Sequence, residues 1–109
     1  MSSPEAEPAL IVNTWVVQDG AQEEFVGGLV ELFEHLGGLP GFLGGQILQG
    51  SNPTRYISMA TMGSGPERRS AIEEPKTREL LRSLRRMAHP DAESYTALRG
   101  FGPADGPQA

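Results

Sequence analysis

The five residues Leu39-Pro-Gly-Phe-Leu43 constrain this chain more than any other stretch. Proline cannot continue a helix, because it lacks an N–H and its ring collides with the preceding turn. The glycine after it permits a sharp change of direction, and the residues that follow are apolar. An amphipathic pattern runs into this corner. Two short β-rich stretches leave it, on either side of the turn Ser51-Asn-Pro-Thr54.

Working outward, Ala9-Leu-Ile-Val-Asn-Thr-Trp-Val-Val17 is rich in β-branched residues and ends at Asp19-Gly20, which predicts a strand closed by a turn. Alternation puts Ile11, Asn13, Trp15 and Val17 on one face and Leu10, Val12, Thr14 and Val16 on the other. Both faces are largely apolar, so the strand is expected to be covered on both sides. From Gln22 to Leu36, Phe25, Leu29, Leu32, Phe33 and Leu36 recur at spacings of three and four, with Val26 and Val30 widening the stripe, and Gly37-Gly38 ends the helix. Strands are expected at Gly44 to Gly50 and Arg55 to Met62. A second helical stretch is expected from Glu67 to Met87, broken or kinked at Pro75 and buried along Leu80, Leu81, Leu84 and Met87. A last strand is expected from Glu93 to Phe101. The order βαββαβ predicts an α+β fold of ferredoxin-like type with an antiparallel sheet.

Composition excludes several alternatives. At 109 residues and 38% hydrophobic the chain fits one domain, read here as residues 9–101, whose core is small enough that a second copy is expected to help wall any deep site. Residues 1–8 and 102–109, rich in Pro, Gly, Ala and acid, read as disordered tails. With no cysteine, disulfides and thiolate chemistry are excluded. No apolar run approaches the ~20 residues of a membrane span, and the acidic start does not resemble a secretion signal, so a cytoplasmic protein without membrane contact is expected. A net charge of −5 argues against a nucleic-acid partner.

Three features in this order and spacing carry a resemblance: Asn13 with Gly20 seven residues on, the Leu39-Pro-Gly-Phe-Leu43 corner, and Pro75-Lys-Thr-Arg-Glu-Leu-Leu81. Together they span most of residues 9–101, and the chain resembles the antibiotic biosynthesis monooxygenase family of dimeric α/β barrels. The resemblance implies a homodimer in which two sheets pack back to back, each subunit keeping a pocket between its sheet and its own helices. It implies oxidation of a phenolic polyketide, an anthrone for example, with molecular oxygen as co-substrate and no other cofactor or metal. The family's oxygenases carry an Asn in the third strand and a Trp four residues later. Aligning the corner without gaps places Ser58 and Met62 there, a departure that keeps a hydroxyl donor but loses an indole N–H.

Such chemistry needs a flat apolar pocket, one proton acceptor and fixed donors for an oxyanion. Strand parity groups Asn13 with Trp15, and Tyr56 with Ser58, Ala60 and Met62; the resemblance implies that these faces line the pocket and nominates Asn13 and Ser58 as the hydrogen-bonding catalytic residues. Trp15, Tyr56 and Met62, with Phe42 of the corner, are nominated for packing on the ring. His89 is the expected proton acceptor, placed at the end of the second helix. His35, flanked by Glu31 and Glu34, looks solvent-facing, and a favourable charge at its helix terminus explains it. Arg78, Arg82, Arg85 and Arg86 recur at helical spacing, either as a solvated face paired with Glu74 and Glu79 or as a surface for an anionic substrate or an acyl carrier protein. Arg55 and Arg99, at strand ends, are candidates for a pocket mouth. The paired glycines lack the setting of a phosphate loop. Alternatives to the oxygenase are a polyketide cyclase or isomerase on the same fold, a non-catalytic ligand-binding barrel, and a haem-binding one using Asn13 and His89.

Overall fold

The computed structural model describes residues 8–95 and 98–103, and the side chains of 92–94 lie outside that description. Most of both expected tails, 1–7 and 104–109, also lies outside it. The elements are β1 (Ala9–Val17), α1 (Gln22–Leu36), β2 (Phe42–Gln49), β3 (Arg55–Met62), α2 (Gly65–Glu73), α3 (Pro75–Met87) and β4 (Ala88–Tyr95). All strand neighbours are antiparallel, in the order β2-β3-β1-β4. This is the ferredoxin-like arrangement, with the corner-and-hairpin half on one side and the α2–α3–β4 half on the other.

The helices cover one face of the sheet. Trp15, Val17, Phe25, Leu29, Leu32, Tyr56, Leu80 and Leu84 form one buried cluster, with Phe25, Leu29 and Leu84 at 0% exposure. Each fully buried large apolar side chain contributes about 1.5–3 kcal/mol relative to exposure. The α1 stripe packs as expected, except that Val30 is left exposed. Among the described residues the second face of β1 is left uncovered. Val16, Leu43, Leu48 and Tyr95 are exposed there, beside half-buried Leu10, Val12, Ile57 and Met59. Its apolar character therefore does not report an internal layer, because every helix lies on the opposite side.

Three boundaries differ from the sequence expectation for local reasons. β2 starts at Phe42 rather than Gly44, because the Gly63 N–H donates to the Gly41 carbonyl at 2.6 Å and pairing with β3 begins at the corner itself. Gly41 makes that corner with φ +88, and a Cβ there would lie 2.6 Å from the Glu67 side chain, so only glycine fits. The second helical stretch is two helices. α2 begins at Gly65 because Ser64 caps it, accepting from the Glu67 N–H at 3.2 Å while donating to the Glu67 carboxylate at 3.1 Å. The expected break at Pro75 is present: Glu74 is extended (φ −62, ψ 133), and Pro75 opens α3 at the first-turn position where its missing N–H costs nothing.

The last strand moves furthest. It was expected at Glu93 to Phe101 and instead occupies Ala88–Tyr95, starting where α3 ends; residues 98–101 lie outside any strand. Pro90 reads as a breaker in the sequence, yet it sits opposite Trp15 in the ladder. An edge strand tolerates proline because one side of it has no ladder hydrogen bonds to lose.

Candidate active site

Between the covered face of the sheet and the helices lies a cavity of about 170 Å³. Its floor is made by the alternate residues Ile11, Asn13 and Trp15 of β1 and Ser58, Ala60 and Met62 of β3. Register explains why they meet: Asn13 stands directly opposite Ser58, and Trp15 opposite Tyr56, so Trp15 and Ser58 are diagonal neighbours on one face. Leu32, Phe33 and Leu36 of α1 form one wall, and α2 and α3 close the cavity from the other side. Its size is near the ~150 Å³ that takes up one benzene ring and below the ~300 Å³ of an ordinary ligand pocket. One ring fits inside, and the remainder of a larger ligand would stand at the mouth.

The polar part of the floor is small and defined. The Trp15 indole Nε1 donates to Ser58 Oγ at 2.9 Å in a buried contact, and Ser58 is only 4% exposed. Because Ser58 accepts this bond, its own hydroxyl proton remains available. Trp15 is also fixed by Phe25, edge-on at 5.2 Å between centroids. Asn13, half-buried beside Ser58, has no side-chain partner among the described residues. A primary amide and a hydroxyl thus stand side by side at the base of a mostly apolar cavity, both able to donate to one oxygen.

Behind one wall lies a second polar group. Glu74 Oε2 accepts from the Thr77 backbone N–H at 3.0 Å and the Thr77 hydroxyl at 3.2 Å, and meets His35 Nε2 at 2.5 Å. Desolvation by itself raises the Glu74 pKa. The hydrogen bonds from the Thr77 backbone, His35, the Lys76 backbone and the Thr77 hydroxyl outweigh it, bringing the carboxyl from its ordinary 4.5 down to about 2. The contact ties the end of α1 to the start of α3. His35 is therefore half-buried against a carboxylate rather than facing solvent, and Glu74 is engaged with His35 and Thr77 rather than with the arginines of α3.

Of the residues singled out in the sequence, Asn13, Trp15, Ser58 and Met62 come together in this cavity. Three do not. Tyr56 is one pleat further along β3, 5% exposed and 5.6 Å from the Phe25 ring, in the core beyond Trp15. Phe42 packs edge-on behind Phe33 at 6.3 Å and supports the wall without lining it. His89 is the clearest correction: it pairs with Val16 in β4, is exposed, and by parity faces away from the helices. It is a strand residue rather than a helix-end one because β4 starts at Ala88, and neither a proton acceptor nor a haem ligand is supplied to this cavity by it. Arg55 and Arg99 also lie off the cavity, Arg99 over the Phe101 ring at 5.0 Å. Among the described residues no group of three or more His, Asp or Glu side chains is placed to hold a metal ion, and no helix is long and apolar enough to cross a membrane.

Among the lining residues that the sequence did not nominate are Phe33, Thr77 and Arg68, and Arg85 was named only within the arginine run. Phe33 belongs to the expected α1 stripe, and Arg85 to the arginine run, so both carried a signal. Thr77, 2% exposed, had only its place in the start of the long helical half.

The fold is that of the antibiotic biosynthesis monooxygenases. It superposes on SnoaB, a cofactor-independent oxygenase from Streptomyces nogalater, with a TM-score of 0.83 over 90% of this chain and 100% of that one, at 21% sequence identity. A protein from Nitrosomonas europaea, provisionally named an antibiotic biosynthesis monooxygenase, gives a TM-score of 0.78 at 16% identity over 89% and 96% of the two chains. One of the same provisional name from Chloroflexus aurantiacus gives 0.73 at 14% identity over 88% and 98%. No protein-family model matches the chain, and no curated protein matches it.

Proposed function

We propose that this protein is a cofactor-independent monooxygenase that oxidises a phenolic aromatic, such as an intermediate of polyketide antibiotic biosynthesis, in the cytoplasm. The observation that carries the reading is the pair of donors, Asn13 and the Trp15-held Ser58, on the floor of a one-ring apolar cavity. The likeness in fold to SnoaB supports it.

In an anthrone, loss of one C–H proton gives an enolate whose charge resides mainly on oxygen. Asn13 and Ser58 would hydrogen-bond that oxygen and lower the cost of ionisation. Among the described residues no histidine or carboxylate lines the cavity, and in this reading the proton leaves to water through the mouth. The carbanion carbon then transfers an electron pair to dioxygen, forming a C–O bond. The peroxide takes up a proton, and loss of one water leaves the new carbonyl, so that substrate plus O₂ becomes quinone plus H₂O. Trp15 contributes by position: its N–H is committed to Ser58, which fixes the direction of the hydroxyl.

That commitment also favours a second reading. With the Trp15 N–H engaged and Met62 where the family's oxygenases carry an indole, the sheet side of the cavity offers a peroxide no described side-chain donor beyond Asn13 and Ser58, which suits a cyclase or isomerase that needs the enolate and not oxygen. Oxygen consumption by the purified protein with dithranol, a simple anthrone, separates the two. An oxygenase consumes oxygen above the protein-free control, and Asn13→Ala lowers the rate by about 100- to 1,000-fold, the usual cost of an oxyanion donor. Bound anthrone without oxygen uptake would move the assignment to the cyclase reading.

We further propose that the working unit is a homodimer. The uncovered sheet face presents Leu10, Val12, Val16, Leu48, Ile57 and Met59 together, and a second copy of the same face supplies an apolar partner of matching shape.

A further inference from the structure

We propose that Arg85 binds a carboxylate on the aromatic substrate, across the cavity from the oxygen held at Asn13 and Ser58. The proposal rests on the reading of the cavity as an aromatic-ring site and adds the class of substrate it takes, a hydroxylated aromatic acid. The chain carries 14 Asp and Glu against 9 Lys and Arg, yet among the described residues no acidic side chain lines the cavity, and its charged lining residues, Arg68 on α2 and Arg85 on α3, are both cationic. That local sign opposes the charge of the whole molecule. Arg85 is exposed and has no ion-pair partner among the described residues, whereas Lys76 on the same helix is paired to Glu31 at 3.7 Å.

Geometry gives the guanidinium a defined place. The neutral donors are on the sheet and Arg85 is on the helical side, in a cavity that Leu36, Met62, Ile72 and Leu81 also line. A cavity near one ring in volume leaves any further substituent at the mouth, where a planar guanidinium can take a carboxylate in two parallel hydrogen bonds. Arg86 occupies the same last turn of α3 and complements the helix dipole as well as Arg85 does, but it does not line the cavity. The dipole therefore accounts for a cation in this turn, not for which cation faces the cavity.

Isothermal titration calorimetry with 6-hydroxy-2-naphthoate and 2-naphthol tests this without oxygen chemistry. The wild type should bind the naphthoate about tenfold or more tightly than the naphthol, with the difference shrinking as salt rises. In Arg85→Gln the preference should fall to near unity, while Arg86→Gln keeps it, the melting temperatures of the two variants serving as the check on folding. Equal wild-type affinity for both compounds, a preference that survives in Arg85→Gln, or an equal loss in Arg86→Gln would each overturn the proposal. Binding of neither compound would overturn the aromatic-site reading and this proposal with it. Naphthoate selectivity without oxygen uptake from an anthrone would uphold the carboxylate site while sinking the oxygenase.

Discussion

Ser58 and Trp15 fix each other, and the cost of separating them is set by burial. In Ser58→Ala the indole N–H is left in an apolar environment without an acceptor, which costs about 1–3 kcal/mol. Urea unfolding followed by the fluorescence of Trp15, the single tryptophan of the chain, should show that loss. An unchanged midpoint would mean the hydrogen bond is not made in solution. At this scale the sequence was partly legible. Strand parity put Asn13 with Trp15 on one face of β1 and Ser58 with Met62 on one face of β3, because a period of two needs no tertiary knowledge. Tyr56 satisfies the same parity and still lies outside the cavity, since parity gives the face of a residue but not its distance along the strand from the opening.

Between elements, two contacts decide how the helices sit over the sheet. Gly45 of β2 lies so close to α1 that a Cβ would run into the Phe33 ring and come 2.8 Å from the Met59 carbonyl. Backbone cannot move aside, so Gly45→Ala should lose about 1–3 kcal/mol and, because Phe33 lines the cavity, weaken ligand binding as well. Calorimetric unfolding and naphthol titration of the same variant would show whether both losses occur. The second contact is Glu74 with His35 and Thr77, which joins α1 to α3. Because the folded carboxyl titrates at about 2 rather than 4.5, its contribution to stability is fully present above 4.5 and disappears as pH falls toward 2. The difference in melting temperature between wild type and Glu74→Gln should accordingly be largest near neutrality and narrow steadily through that acid window. A difference independent of pH would mean that Glu74 acts only as a neutral cap.

For the whole molecule, the uncovered sheet face is the feature with the largest consequence. Contiguous exposed apolar surface of this kind is unusual on a protein that works alone. Equilibrium sedimentation should give twice the mass of the chain, and a double charge substitution on that face, Val16→Glu with Leu48→Glu, should shift the protein toward monomer while leaving the cavity side of the sheet in place. A stable monomer in the wild type would remove the dimer from the proposal. The acidic net charge belongs to this scale too. It makes the two cavity arginines stand out against their surroundings.

Periodicity and punctuation by themselves determined the element order, the helix break at Pro75, the corner at Gly41 and the face of β1 and β3 that carries Asn13, Trp15, Ser58 and Met62. These follow from constraints acting over a few residues: the fixed φ of proline, the freedom of glycine, and the repeats of 2 and 3.6. Tertiary structure alone decided that His89 faces away from the cavity, that His35 meets Glu74 across 39 positions of sequence, that β4 runs through Pro90, and that Arg85 and not Arg86 reaches the cavity. Each of those depends on where one element lies against another. That is set by packing and by the position of an edge strand in the sheet, neither of which leaves a local pattern in the chain.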